Sequence, residues 1–131
     1  MFGLQKGRYR ARLAGTDADL CAAQRLRYVA FADDAARDDP AAIVADSFDD
    51  RCSHVLVEEV ESGRLVCCFR ILPLAHGGEI TQSYSAQYYE LSPLEEFEGP
   101  IVEMGRFCIH PEAQDPDILR VAWAALTRYV D

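Results

Sequence analysis

The stretch Ile101-Val102-Glu103-Met104-Gly105-Arg106-Phe107-Cys108-Ile109 is an apolar run interrupted by one acid and one arginine. Its composition predicts a buried strand, which His110-Pro111 ends. In a regular strand Glu103 and Arg106, three positions apart, point to opposite faces. Gly105 lies between them, and a glycine inside a strand often marks a β-bulge. A bulge turns both side chains to the same side and leaves a backbone amide free of the ladder.

An acid, a guanidinium and a free amide in one cleft are the groups that acyl transfer requires. The acid serves as the base for an amine nucleophile, and the donors stabilise the developing oxyanion. We therefore expect Glu103 and Arg106 to form the centre of a site. The alternative is a buried structural ion pair without chemistry.

The composition bounds the class of protein. The 131 residues include 13 Lys and Arg against 22 Asp and Glu, a formal charge of −9, which excludes a nucleic-acid binder that depends on a broad positive field. With 50% hydrophobic and 27% charged residues, the chain is typical of a globular protein, and we expect one domain over residues 1–131. Nothing near residue 1 has the pattern of a signal peptide, and no apolar run approaches the roughly 20 residues of a membrane span, so we expect a cytoplasmic protein.

Metal and disulfide sites are not expected. The five cysteines are an odd number, and the neighbours Cys67 and Cys68 face opposite sides of a predicted strand, which is not a disulfide framework. The sequence has no CxxC or HxxxH motif, and the three histidines are scattered. We predict no metal.

The first half of the chain contains a strand and then a helix. Alternation predicts the strand over residues 8–13, with Arg8, Arg10 and Arg12 on one face. Together with Lys6 they form the one cationic cluster, which either docks an acidic partner protein or is a solvated strand face. Thr16 is the expected N-cap of a helix that ends near residue 31.

A hairpin and a second helix follow. The strands 54–60 and 65–72 are joined by a turn at 61–64, where Gly63 supplies the positive φ. Residues 81–94 are a polar, tyrosine-rich connection with short structure around 86–91. The second helix opens at Asp115-Pro116-Asp117 and continues to the end of the chain.

Two further arginines lie among apolar residues. Arg70 interrupts a central strand, and its structural alternative is a buried ion pair with Asp46 or Asp49. Arg27 occupies an apolar helix stripe, and its alternative is a side chain that reaches solvent from the edge of the core. The two aspartates suit a cationic amine or amino-acid substrate, or form a solvated acidic turn.

Four motifs together resemble a known family: Leu26-Arg27-Tyr28 with Phe31, Asp46-Ser47-Phe48-Asp49, Cys68-Phe69-Arg70-Ile71-Leu72-Pro73, and Val102-Glu103-Met104-Gly105-Arg106-Phe107. In this order and spacing they resemble the N-terminal half of the bacterial ornithine N-acyltransferases, from about Tyr9 to Tyr129. These enzymes share a branch of the GNAT-like acyltransferase superfamily with the acyl-homoserine-lactone synthases. The resemblance implies a GNAT-like three-layer α/β/α sandwich with a mixed, mostly antiparallel sheet, truncated at the C-terminus.

The resemblance also implies a reaction, the transfer of a 3-hydroxy fatty acyl group from acyl carrier protein to the α-amine of ornithine, the first step of ornithine lipid synthesis. Glu103 would be the base; Asp46 and Asp49 would hold the cationic substrate or brace a guanidinium; Arg70 and Arg106 would hold the substrate carboxylate or order the site. Arg27 matches a further charged position of the family. Peripheral contact with the membrane through the lipid product is also implied.

The acyl donor is expected to be the carrier protein with its phosphopantetheine arm, without a further cofactor. Coenzyme A branches of the superfamily cradle a pyrophosphate on a glycine-rich turn, but residues 110–117 contain no glycine and three acids. Two alternatives remain open. One is an acyl-homoserine-lactone synthase that uses S-adenosylmethionine; the other is a non-catalytic remnant that binds the carrier protein through Lys6, Arg8, Arg10 and Arg12.

Overall fold

The computed structural model describes residues 3–31 and 42–131. Its elements are five strands and two helices: β1 (Gly3–Lys6), β2 (Tyr9–Leu13), α1 (Asp17–Phe31), β3 (Ser53–Glu59), β4 (Leu65–Leu74), β5 (Ile101–Ile109) and α2 (Pro116–Val130). The strands form one sheet in the order β1-β2-β3-β4-β5. Short 3₁₀ turns occupy Ser47–Arg51, Gly77–Gln82, Ser85–Gln87 and Ser92–Leu94.

The sheet is sandwiched between the two helices. Ala23 and Leu26 of α1 pack with Leu56, Cys68 and Cys108 on one face. On the other face, α2 packs through buried side chains against the alternate strand positions; this second core includes Val55, Val57, Cys67, Phe69, Ile118, Val121, Ala122 and Ala125. Successive strand residues point to opposite faces, so one apolar strand serves both helices. The expected α/β sandwich is confirmed, and within the described residues every strand pair is antiparallel instead of mixed.

The predicted elements are confirmed with small changes at their ends. Thr16 caps α1 through a hydrogen bond that its hydroxyl accepts from the amide of Asp19, at 3.1 Å. Gly63 has φ +72° in the hairpin turn, as the pattern required. Strand β1 was not predicted. It is only four residues long and pairs with β2 across a turn in which Gly7 has φ +57°, so its alternation is too short to detect from sequence.

Neither helix in the described part of the chain is long and apolar enough to cross a bilayer.

Candidate active site

The predicted irregularity in β5 is present and shapes the site. In the register with β4, Gly105 pairs with Arg70 and Cys108 pairs with Cys68, so two residues of β5 lie opposite the single residue Phe69. This is a bulge. The residue in the left-handed conformation is not the glycine but Arg106, with φ 49°. That conformation costs a side-chain-bearing residue about 1–2 kcal/mol, which neighbouring contacts must offset.

The bulge brings Glu103 and Arg106 to one cavity of about 370 Å³. It lies between the bulge, the turn at Ser47–Arg51 and the connection that follows β4. The cavity is lined by Phe31, Phe48, Cys52, Arg70, Leu72, Tyr84, Ser85, Glu103, Met104, Gly105 and Arg106. We call it the Glu103 cavity.

Beneath this cavity, three arginines and two aspartates form one ion-pair network. The Arg27 Nη1 donates to both carboxylate oxygens of Asp49, at 2.8 and 2.9 Å. The Arg70 Nη1 donates to Asp49 at 3.0 Å and to Asp46 at 2.6 Å. Arg106 completes the network through its Nη2, 3.2 Å from Asp46. Three cations share two anions, so these five side chains carry a net positive charge, and the carboxylate of Glu103 lies in the same cavity.

The network is buried unequally. Arg27, Arg70 and Asp49 are nearly inaccessible, whereas the side chains of Asp46 and Arg106 remain 23% and 30% exposed. Burial by itself raises the pKa of Asp46, but the hydrogen bonds from Arg70 and Arg106 outweigh it and lower the pKa to about 2. Asp49 follows the same pattern: burial opposes ionisation, and hydrogen bonds from Gln24 and Arg27 hold its pKa below the ordinary value.

His54 supports the network as a neutral ring. Its Nε2 lies 2.9 Å from the carbonyl oxygen of Asp49, to which it donates. The Nδ1 is then free to accept from Arg27 Nη2, at 3.2 Å. Burial, followed by repulsion from Arg27, lowers the pKa of His54 despite this contact with Asp49. The neutral form is the one that can accept a hydrogen bond from a guanidinium.

Glu103 has a different environment, because it contacts main-chain amides. Its Oε1 accepts from the amide of Tyr84 at 2.8 Å, and its Oε2 accepts from the amide of Ser85 at 3.0 Å. Each carboxylate oxygen keeps a second lone pair. The side chain therefore holds the 84–85 turn in place while it faces the Glu103 cavity.

Comparison with known proteins gives the family. Residues 26–124, about three-quarters of the chain, match the family described as acetyltransferase (GNAT) domain. The chain belongs to this GNAT family. The match contains every residue of the ion-pair network as well as Glu103.

Two curated relatives of this GNAT chain share one description, L-ornithine N(alpha)-acyltransferase. The protein from Rhodobacter capsulatus is 32% identical over 132 residues, which cover 93% of this chain and 51% of the relative. The protein from Brucella abortus is 29% identical, with coverages of 94% and 48%. The chain thus spans about half the length of the curated relatives it matches.

A solved structure shows the same fold. The crystal structure of the AHL synthase LasI superimposes with a TM-score of 0.56 at 21% identity, over 92% of this chain and 65% of that one. At this identity the likeness concerns the fold alone.

The geometry of the GNAT site decides between several structural alternatives. Asp46 and Asp49 brace guanidinium groups, and the interpretation as a solvated acidic turn is wrong. Arg70 forms the buried ion pair with both aspartates, and it also lines the cavity. Arg27 does not reach solvent, since only 1% of it is exposed. The roles of these residues with a substrate stay predictions.

The basic residues near the N-terminus separate into two groups. Arg10 and Arg12 lie on a shared face and contact Glu58 on β3 at 3.3 and 2.8 Å. The guanidinium of Arg8 instead contacts Asp115 at the start of α2, and Lys6 lines a shallow pocket beside that helix. The expected single face is therefore wrong for Arg8. Docking of an acidic partner at these residues stays a prediction.

The start of α2 is already capped by its own side chain. Asp115 accepts a hydrogen bond from the amide of Asp117 at 3.0 Å, and its carbonyl accepts from Ile118 at 3.1 Å. Pro116 has no amide hydrogen. The amides that would hold a phosphate at this helix terminus are thus used or missing.

Sequence reasoning missed His54, which supports the network, and Tyr84, which lines the cavity. The Tyr84 ring lies 5.4 Å from the guanidinium carbon of both Arg70 and Arg106, and it meets the Phe48 ring edge-on at 5.4 Å. The tyrosine-rich connection was visible, but no periodicity indicates which tyrosine of a loop turns inward. Among the described residues, no group of three or more His, Cys, Asp or Glu side chains is placed to hold a metal ion.

Proposed function

We propose that this chain carries the active site of an L-ornithine Nα-acyltransferase, which transfers a 3-hydroxy fatty acyl group from acyl carrier protein to the α-amine of ornithine. The observation that carries the proposal is the meeting of Glu103 and Arg106 in one cavity beside an electropositive network. The curated relatives bear the name of this activity.

An α-amino acid fits the two sides of the cavity. The carboxylate of the substrate binds Arg106, whose side chain is partly exposed and belongs to a network with more guanidinium groups than aspartates. The α-amine then faces Glu103. As the neutral amine attacks the thioester carbonyl, the C–N bond forms and the amine proton passes to Glu103 directly or through one water. The C–S bond breaks, and the carrier's phosphopantetheine thiolate leaves and takes up a proton.

The carbonyl oxygen of the thioester becomes an oxyanion during this step. At residues 106–107 the bulge interrupts the hydrogen-bond ladder between β4 and β5. A main-chain amide there can donate to the oxyanion of the thioester. Arg106 adds positive charge close by. Stabilisation by preorganised donors of this kind is worth about 2.7–4 kcal/mol per donor in other acyl-transfer enzymes.

The capped start of α2 supports a carrier-protein donor over coenzyme A. A pyrophosphate there meets the carboxylate of Asp115 and a proline instead of free amides. The same proposal includes a cytoplasmic location and peripheral contact with the membrane where the lipid product is released.

An acyl-transfer assay with the purified chain tests the proposal. The chain is given 3-hydroxyacyl carrier protein with L-ornithine, and in parallel reactions S-adenosylmethionine replaces ornithine or acetyl-coenzyme A replaces the carrier. We expect acylated ornithine only with the carrier thioester. Lactone formation from S-adenosylmethionine supports the synthase alternative and overturns the proposal, as does activity with acetyl-coenzyme A alone. Carrier binding without turnover of any substrate supports the non-catalytic alternative.

Glu103→Gln tests the base. We expect kcat to fall about 10²–10⁴-fold. Glu96→Gln, the same exchange at an exposed glutamate, is the matched control and should retain full activity. Because Glu103→Gln also changes the contact with the 84–85 turn, thermal unfolding of both variants checks the fold. Unchanged turnover in a folded Glu103→Gln variant contradicts the assignment.

A further inference from the structure

The two guanidinium groups that line the Glu103 cavity are not equivalent. Arg70 is buried, and its Nη1 is shared by Asp46 and Asp49 at 2.6 and 3.0 Å. Arg106 keeps 30% of its side chain exposed and donates to Asp46 at a longer 3.2 Å. Its buried Nε has no hydrogen-bond partner among the described residues. Arg106 is therefore the guanidinium that a ligand can reach more easily, and the aspartates hold it less tightly.

Tyr84 fixes the position of this guanidinium. The ring lies 5.4 Å from the guanidinium carbon of Arg106, within the range of a cation–π contact. It is held from the other sides, because Phe48 meets it edge-on and Arg70 lies at the same 5.4 Å. An aromatic ring restricts a planar guanidinium more than it restricts a lysine ammonium, since the guanidinium can stack.

The main chain of Tyr84 is fastened to the acid of the same cavity. Its amide donates to Glu103 at 2.8 Å, and the adjacent Ser83 hydroxyl donates to the carbonyl of Ile80 at 2.8 Å and accepts from the amide of Ala86 at 3.1 Å. Tyr84 thus contacts both the acid of the site and its more exposed guanidinium. A shift of this turn changes both contacts.

We propose that Tyr84 is a positioning residue which aligns Arg106 for the carboxylate of the amino-acid substrate, so that the site selects amines that carry an α-carboxylate. This inference rests on the proposed function. The ring contacts Arg106 and not the reacting atoms, so its loss weakens binding of the carboxylate more than it slows the chemical step.

The test compares two amines that differ only in the carboxylate, L-ornithine and 1,4-diaminobutane. Their Kd values are measured by calorimetry, and their KM and kcat values with 3-hydroxyacyl carrier protein as donor. For Tyr84→Leu we expect the Kd and KM of ornithine to rise about tenfold, or about 1.4 kcal/mol, with kcat changed less than threefold. The diamine should bind as it does to the unmodified chain. Tyr84→Phe retains the ring and should behave like the unmodified chain.

The outcomes separate the two proposals. If Tyr84→Leu changes the Kd of both amines equally, or changes neither Kd, the role of Tyr84 is overturned even when ornithine is acylated normally. If the unmodified chain binds ornithine but never acylates it, the proposed function fails, while the Kd comparison still decides the role of Tyr84. Absence of ornithine binding overturns both. Should the leucine variant not fold, Tyr84→Met provides the same comparison with another ringless side chain.

Discussion

Asp49→Asn removes the charge that holds two buried guanidinium groups. The side chain of Asp49 is 2% exposed, and those of its partners Arg27 and Arg70 are 1% and 4% exposed. Asparagine keeps the shape but replaces an acceptor oxygen with an amide group that donates, and it leaves three cations against one carboxylate. Removal of one partner from a buried ion pair costs about 3–5 kcal/mol. That is a large part of the roughly 5–15 kcal/mol that stabilises a domain.

Equilibrium urea unfolding followed by circular dichroism measures the loss. With a typical dependence of about 1–3 kcal/mol per molar urea, the midpoint should fall by more than about 1 M. Asp50→Asn is the matched control, because it makes the same exchange at the neighbouring exposed residue and should stay within about 0.5 kcal/mol. A loss below about 1 kcal/mol in Asp49→Asn, the value of a solvated surface pair, refutes the reasoning.

A second check is the pH dependence of the difference in unfolding free energy between the unmodified chain and Asp49→Asn. The pKa of Asp49 is lower in the folded chain, so the stability from its ionised form is complete above the ordinary Asp pKa of about 3.9 and is lost as the pH falls through the folded pKa. The difference between the unmodified chain and Asp49→Asn should therefore be constant from pH 7 to about 5 and shrink below pH 4. A difference that grows on acidification contradicts the network.

Three further outcomes follow from single residues. Asp46, with a pKa of about 2, should contribute stability that is present above about pH 4 and lost between pH 4 and 2. The urea midpoint of Asp46→Asn should therefore fall less steeply between pH 4 and 2 than that of the unmodified chain, and an equal fall contradicts the ion pair. Gly63→Ala should lose about 1 kcal/mol of stability, because residue 63 has a φ of +72°. Gly15→Ala should lose less, because an added Cβ also meets open space there but φ is not in the left-handed region. Equal shifts of the thermal unfolding midpoint contradict this. Exposed Cys21 should react with a thiol reagent in the folded chain, and Cys67, whose thiol pKa burial raises, only after unfolding; early labelling of Cys67, detected by peptide mass, contradicts its position in the core.

The strand and helix content was predictable because it depends on local patterns. The limits of β5 agree with the apolar run to the residue, and α1 ends at Phe31 as its stripe indicates. The bulge was also predicted from Gly105, but the residue with the left-handed conformation is Arg106. Glycine generally prefers such conformations, but here an arginine adopts one and forms an ion pair with Asp46.

Chemically unusual residues could also be found from sequence. Arginines in apolar strands and helix stripes must meet an anion, so the sequence alone makes Arg27 and Arg70 candidates. Which carboxylate each one meets was left open. The structure shows that Asp49 serves both of them, while Asp46 joins Arg70 to Arg106.

The sequence by itself determined where both helices and every strand except β1 lie, which charged residues interrupt apolar segments, and that a bulge interrupts the strand of Glu103. Hydrophobic periodicity and the cost of an unpaired buried charge act within a few residues, so both can be read along the chain. Only the tertiary structure decided which charges pair and which loop residue reaches them. Arg106 and Asp46 are 60 positions apart and Tyr84 lies in an irregular connection, so their meeting depends on strand register and on the turn that Glu103 holds.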